Sequence, residues 1–136
     1  MDPEDRRAYL GFVTDVISRM STNSLAVKGL AITIAAGTGT FAVASSAQQA
    51  AGALGFLAIL VLWWVDAYYL HIERCYRSVF KNIVDGKLTT MTMEWRSFAA
   101  EVPRPLRLMF SFPTIVPYAA AAIILLPVVL MMIGPR

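Results

Sequence analysis

Charge, cysteine and histidine are all scarce in this chain, and each scarcity removes a class of function. Of 136 residues only 15% are charged, against about 25% in an ordinary soluble domain. Hydrophobic residues make up 57%, so composition alone places the chain among membrane proteins. Its length fits one unit, with no room for a separate catalytic domain. The single cysteine, Cys75, excludes an internal disulfide and any CxxC or paired-cysteine metal motif. The single histidine, His71, stands one helical turn before it, so the two share a helix face. A zinc site there needs carboxylates from elsewhere, and the plainer reading puts both on an interfacial helix surface.

Catalytic motifs are absent as well. There is no glycine-rich phosphate loop, no HExxH and no GxSxG. His71 and Glu73 lack a nucleophile with a positioned third group. No carboxylate lies near the middle of an apolar segment, where proton-coupled transport usually needs one. The expectation is a non-enzymatic protein with no cofactor and no metal. The net charge of +3 points to anionic headgroups and not to nucleic acid, because most basic residues flank apolar segments.

What is present is a series of helical, apolar segments, and the fold class read from them is all-α and polytopic. Asp2-Pro3-Glu4 is a helix start, with a cap, a first-turn proline and acidic residues at the positive end of the dipole. Tyr9, Leu10, Phe12, Val13, Val16, Ile17 and Met20 then recur at near-helical spacing among charges. Residues 1–23 thus read as an amphipathic arm, lying on the membrane surface or on a partner helix. Ser21-Thr22-Asn23-Ser24 reads as a break, with Asn23 or Ser24 capping the next helix. No cleavable signal peptide is visible, since residues 1–23 carry charges throughout.

The first span is expected over 25–47. It is rich in small residues, with Ala35 and Gly39 four apart and Ala36 and Thr40 four apart. Such spacing lets helix backbones approach closely. After an uncharged connection over 45–50, a second span covers 51–70 and ends in Trp63, Trp64, Tyr68 and Tyr69, residues suited to the membrane–water boundary. The helical pattern runs on out of the bilayer until Asp85-Gly86 stops it. Residues 86–112 read as a cytoplasmic or interfacial loop. Within it Thr89–Phe98 suits a short amphipathic helix, Pro103 and Pro105 act as breakers, and Leu106, Leu108, Met109, Phe110 and Phe112 look interfacial. The third span, 113–133, is uncharged and carries Pro117 and Pro127, which membrane helices tolerate. A re-entrant third segment is the alternative.

Charge sets the expected orientation. The first connection has no Lys or Arg, whereas the second has Arg74, Arg77, Lys81, Lys87, Arg96, Arg104 and Arg107, and the arm has Arg6, Arg7 and Arg19. This asymmetry puts the N-terminus and the long loop in the cytoplasm.

The densest polar cluster falls at that boundary. If the first two spans form an antiparallel hairpin turning near Gln49, Lys28 and Asp66 differ in depth by about 6 Å, within reach of a lysine side chain. They then pair directly or through Asn23, or else each snorkels independently to the headgroups. Glu73 and Arg77 stand at i and i+4 in the favourable order. They stitch a solvated face, or Arg74, Arg77 and Lys81 form a basic stripe for a partner, a nucleotide signal or anionic lipid.

The run Arg19-Met20-x-x-Asn23-Ser24-x-x-x-Lys28-Gly29, followed by two apolar segments and then Trp64-x-Asp66-Ala67-Tyr68-Tyr69-Leu70-x-x-Glu73-Arg74-x-Tyr76-Arg77, resembles an uncharacterised group of small bacterial multi-span membrane proteins. In layout the chain is also similar to the SLATT-type membrane effectors of bacterial conflict and anti-phage systems, which set a transmembrane hairpin beside a cytoplasmic helix. The third, proline-bearing segment departs from that two-helix layout. The resemblance implies a bacterial inner-membrane location and a homo-oligomeric, channel-like or membrane-perturbing effector answering to a cytoplasmic partner or sensor. It also marks Asn23, Lys28, Asp66, Glu73, Arg74 and Arg77 as one constellation. A scaffold subunit anchoring a soluble partner is the alternative function, and a small transporter a more distant one.

Overall fold

Pro3 opens a helix that does not stop where the sequence suggests. The computed structural model describes residues 2–44, 48–88 and 92–133. In it α1 runs unbroken over Pro3–Ala44, α2 over Gln48–Val84, α3 over Pro105–Leu108 and α4 over Phe112–Ile133, with a 3₁₀ turn at Trp95–Glu101. The chain is all-helical in these segments, and α1, α2 and α4 are each long and apolar enough to cross a membrane.

The expected break at Ser21–Ser24 is therefore corrected: arm and first span are one helix of 42 residues, about 63 Å long. Four polar residues in a row suggest an end, but none is a proline or glycine, so nothing forbids helical backbone. The Ser24 hydroxyl is not used as a cap either, since it bonds across to α2. The connection expected over 45–50 shortens from its far side, because α2 already begins at Gln48; residues 45–47 lie outside the described residues.

The two long helices pack antiparallel along most of their length. At one end Tyr9 and Val13 of α1 meet Val79 and Ile83 of α2, with Phe80, Leu88 and Phe98 against them. At the other, Ala31 and Ala35 of α1 meet Ile59 of α2 and Tyr118, Ala121 and Leu125 of α4. The N-terminal arm thus docks on protein. Arg6 donates to the carbonyls of Ile83 and Val84 at 3.1 and 3.0 Å. There the guanidinium meets the negative end of the α2 dipole. The Tyr9 hydroxyl donates to the carbonyl of Thr92 and accepts from its backbone N–H. α2 ends as its sequence predicts: Gly86 takes φ +71°, and the amides of Lys87 and Leu88 turn back to Asn82 O.

Close approach in the hairpin depends on a glycine of α2. Gly55 is buried, and a β-carbon placed there meets Thr38 of α1 at 2.6 Å. The small residues singled out on α1 divide by face. Ala35 is fully buried and Gly39 half-buried, whereas Ala36 and Thr40 are exposed.

The segment after α2 is more ordered than a loop. The amphipathic helix expected over Thr89–Phe98 is replaced by the 3₁₀ turn at Trp95–Glu101, and Thr89–Met91 lie outside the described residues. Pro105 does not break a helix but opens α3 at its first turn. Leu108, expected at an interface, is buried. Its backbone carbonyl, at 2.5 Å, is the nearest of three acceptors for the single Thr114 hydroxyl proton, with those of Met109 and Ser111 also in reach, and this contact anchors the start of α4. α4 then continues without interruption past Pro117 and Pro127. Trp63 ties it to α2 from the side: the indole donates to Met109 O at 3.0 Å and stacks on Tyr118 with centroids 5.9 Å apart.

Candidate functional site

Between the two apolar clusters lies a polar junction. Ser24 and Lys28 are one turn apart on α1, so both side chains leave the same face. Opposite them on α2 is Asp66, with no exposed surface. Lys28 Nζ lies 2.7 Å from Asp66 Oδ1 and 2.5 Å from Ser24 Oγ, and Ser24 Oγ donates to the same Asp66 Oδ1 at 2.5 Å. The hairpin arithmetic thus leads to a contact present in the fold. The pairing is direct, with Ser24 as an added bridge; Asn23 is exposed and forms no side-chain hydrogen bond among the described residues. Successive helix residues point about 100° apart, so only one of the two can face α2.

Asp66 is only half satisfied. Both donors converge on Oδ1, and the buried Oδ2 has no partner among the described residues. Its neighbourhood is nonetheless tightly built, since Tyr118 of α4 donates to Leu62 O, one turn before Asp66, at 3.1 Å. A buried ion pair of this kind stabilises little in net terms, but losing one partner strands the other charge.

Further along α2, Glu73 and Arg77 form a second pair. Arg77 Nε and Nη2 both bond to Glu73 Oε1, at 2.9 and 2.8 Å. The Glu73 side chain is 11% exposed and that of Arg77 63%. Arg74 is half-buried and joins no ion pair among the described residues. The sextet marked by sequence is therefore two pairs, Lys28–Asp66 and Glu73–Arg77, with Asn23 and Arg74 outside them.

His71 and Cys75 are corrected from surface to interior: both are buried. The chain returning through Trp95 and Pro103 covers them. The His71 ring stands edge-on to Trp95, and Nδ1 is 3.0 Å from Pro103 O. That carbonyl can only accept, so Nδ1 carries the proton and Nε2 faces the Cys75 thiol at 3.8 Å. Cys75 lies beyond the apolar stretch of α2, and burial pushes its thiol up from the ordinary value. A thiol held neutral and enclosed is a poor nucleophile. Among the described residues no third metal-ligating side chain joins this pair.

Sequence reasoning missed Ser24 as the bridge, Gly55 as the contact point and Thr114 as the anchor of α4. The signal for Ser24 was its i, i+4 relation to Lys28. Gly55 announced itself only as one small residue among several. No protein-family model matches the chain, and comparison with curated proteins and with solved structures finds no match.

Proposed function

We propose that this chain is a multi-pass protein of the bacterial inner membrane, with its N-terminus and basic end in the cytoplasm. In this reading it self-associates into a channel-like or membrane-perturbing assembly governed from that end. The location and the conflict-system setting rest on the resemblance carried by the Arg19–Gly29 and Trp64–Arg77 runs. The docking of α1 on the end of α2 brings Arg6 to the end of the hairpin that carries Arg77, Lys81 and Lys87, which supports the orientation.

The observation that carries self-association is the outer face of α1. Gly29, Thr33, Ala36, Gly37 and Thr40 are all exposed, while Ala31 and Ala35 on the other side are packed. Thr33 and Thr40 satisfy their hydroxyls on the carbonyls one turn back, each at 3.0 Å. The face is thus small, smooth and free of unmet polar groups, the composition through which membrane helices pack on one another. Only 17% of the apolar window of α1 is buried within the chain, so this outer face is open to lipid or to a second copy.

The test is ion flux from liposomes holding the purified protein, with its mass measured in detergent. A discrete oligomer that leaks ions, with a leak altered by Lys28→Ala, supports the reading; a monomer that stays tight removes it. The scaffold reading is favoured by one observation of its own. Arg77, Lys81, Lys87, Arg96, Arg104 and Arg107 are all exposed, a basic surface for a soluble acidic partner. Its signature is partner-dependent stability without flux.

A further inference from the structure

Beside the polar junction, α1, α2 and the first turn of α4 enclose an open pocket of about 380 Å³. Its walls carry opposite charges. α1 contributes the Lys28 ammonium with the hydroxyls of Ser21, Thr22 and Ser24, and α2 contributes the Glu73 carboxylate. Each charged group holds a bonding position in reserve. Lys28 has three N–H donors and spends two, on Ser24 and Asp66. Arg77 takes Glu73 through Oε1 alone, and Oε2 has no hydrogen-bond partner among the described residues. Leu25 and Pro113 complete the lining, and Leu25 together with neighbouring Phe112 continues as strongly exposed apolar surface.

A free anion in this pocket meets Lys28 but is repelled by Glu73, and a free cation meets the reverse. A zwitterion satisfies both walls. We propose that the pocket binds the headgroup of a phosphatidylethanolamine lipid. Its phosphate accepts from Lys28 Nζ and from the Ser21 and Thr22 hydroxyls, and its primary ammonium donates to Glu73 Oε2. The acyl chains leave over Leu25 and Phe112. The ammonium must carry N–H groups to bond a carboxylate, so phosphatidylcholine loses that contact, and phosphatidylglycerol has no cation to offer. Bound there, the lipid joins α1 to α2 at the level of the Lys28–Asp66 pair.

This inference rests on the membrane reading, and the two are tested apart. Alkaline extraction of membranes decides the first: a chain released as soluble protein overturns both. For a chain retained in the pellet, native mass spectrometry of the detergent-purified protein is titrated with the three lipids. Phosphatidylethanolamine is expected to bind at least tenfold more tightly than phosphatidylcholine or phosphatidylglycerol. Glu73→Gln is expected to erase its advantage over phosphatidylglycerol. Thr22→Leu, at an exposed position on the rim, is expected to weaken binding by filling the pocket, and it serves if the Glu73 variant fails to fold. Equal affinities for the three lipids, or an undiminished preference in a folded variant, overturns the site. Water-soluble glycerophosphoethanolamine is expected to compete poorly, and competition on equal terms overturns the lipid as occupant.

Discussion

Lys28 and Asp66, 38 residues apart in sequence, meet at 2.7 Å with the aspartate wholly enclosed. Removing either charge alone leaves the other in a site built for a pair, at a cost of about 3–5 kcal/mol. Lys28→Met and Asp66→Leu are each expected to lower the melting temperature in detergent sharply. The double variant, which removes both charges, is expected to recover most of the loss. The swapped pair, Lys28→Asp with Asp66→Lys, is expected to fold better than either of its single variants. A double variant no more stable than the singles would show that the two charges are not coupled.

The contact of Gly55 with Thr38 sets how closely the two long helices run. Thr38 is β-branched and its side chain turns stiffly. Gly55→Val is therefore expected to destabilise by about 1–3 kcal/mol through overpacking. Thr38→Ala added to it is expected to restore part of that loss. Additive effects in this double-mutant cycle would remove the contact as the point of closest approach.

At the other end, Arg6 and Tyr9 fasten α1 to the end of α2 and to Thr92. Arg6→Ala is expected to cost about 1 kcal/mol. Hydrogen exchange should show the effect locally, as faster exchange over Asn82–Leu88 with the apolar halves of the helices unchanged. Uniformly faster exchange would mean that Arg6 supports the whole fold and not one helix end.

Cys75 supplies a pH-dependent readout. Burial raises its thiol pKa in the folded chain, so the folded state holds its proton where the unfolded state has lost it. The unfolded thiol titrates at about 8.5. Below that value the two states bind the same proton and the thiol leaves stability unchanged. As pH rises from there towards the higher folded value, the unfolded state alone gains by ionising, and stability declines. Maleimide is expected to label Cys75 slowly in detergent at pH 7 and at once after unfolding. Fast labelling of folded protein would show that the segment over His71 and Cys75 opens readily.

Much of this was legible in the sequence because helix geometry is rigid. Counting residues from a turn near Gln49 brings Lys28 and Asp66 to similar depth without knowledge of any other contact. The stop at Asp85-Gly86 follows from glycine's freedom at positive φ in the same local way. Continuity through Ser21–Ser24 was not legible, because four polar residues look alike whether they cap a helix or face a partner. Only the position of Asp66 decides, and it is remote in sequence. The burial of His71, Cys75 and Leu108 was hidden for a related reason. It depends on the return of residues 95–111 across α2, and a segment broken by Pro103 and Pro105 carries no periodicity to betray its path.

The absence of a hinge in α1 has a mechanical consequence. A stiff rod held at Lys28 is a lever with unequal arms: about 37 Å towards Pro3 and about 24 Å towards Ala44. A push at Arg6 then swings the opposite end the other way through roughly three-quarters of the distance, and one at Tyr9 through roughly five-sixths. No loop need refold for the stroke to cross the molecule. The fulcrum is the Lys28–Asp66 contact, so loosening that pair alters how freely the rod turns.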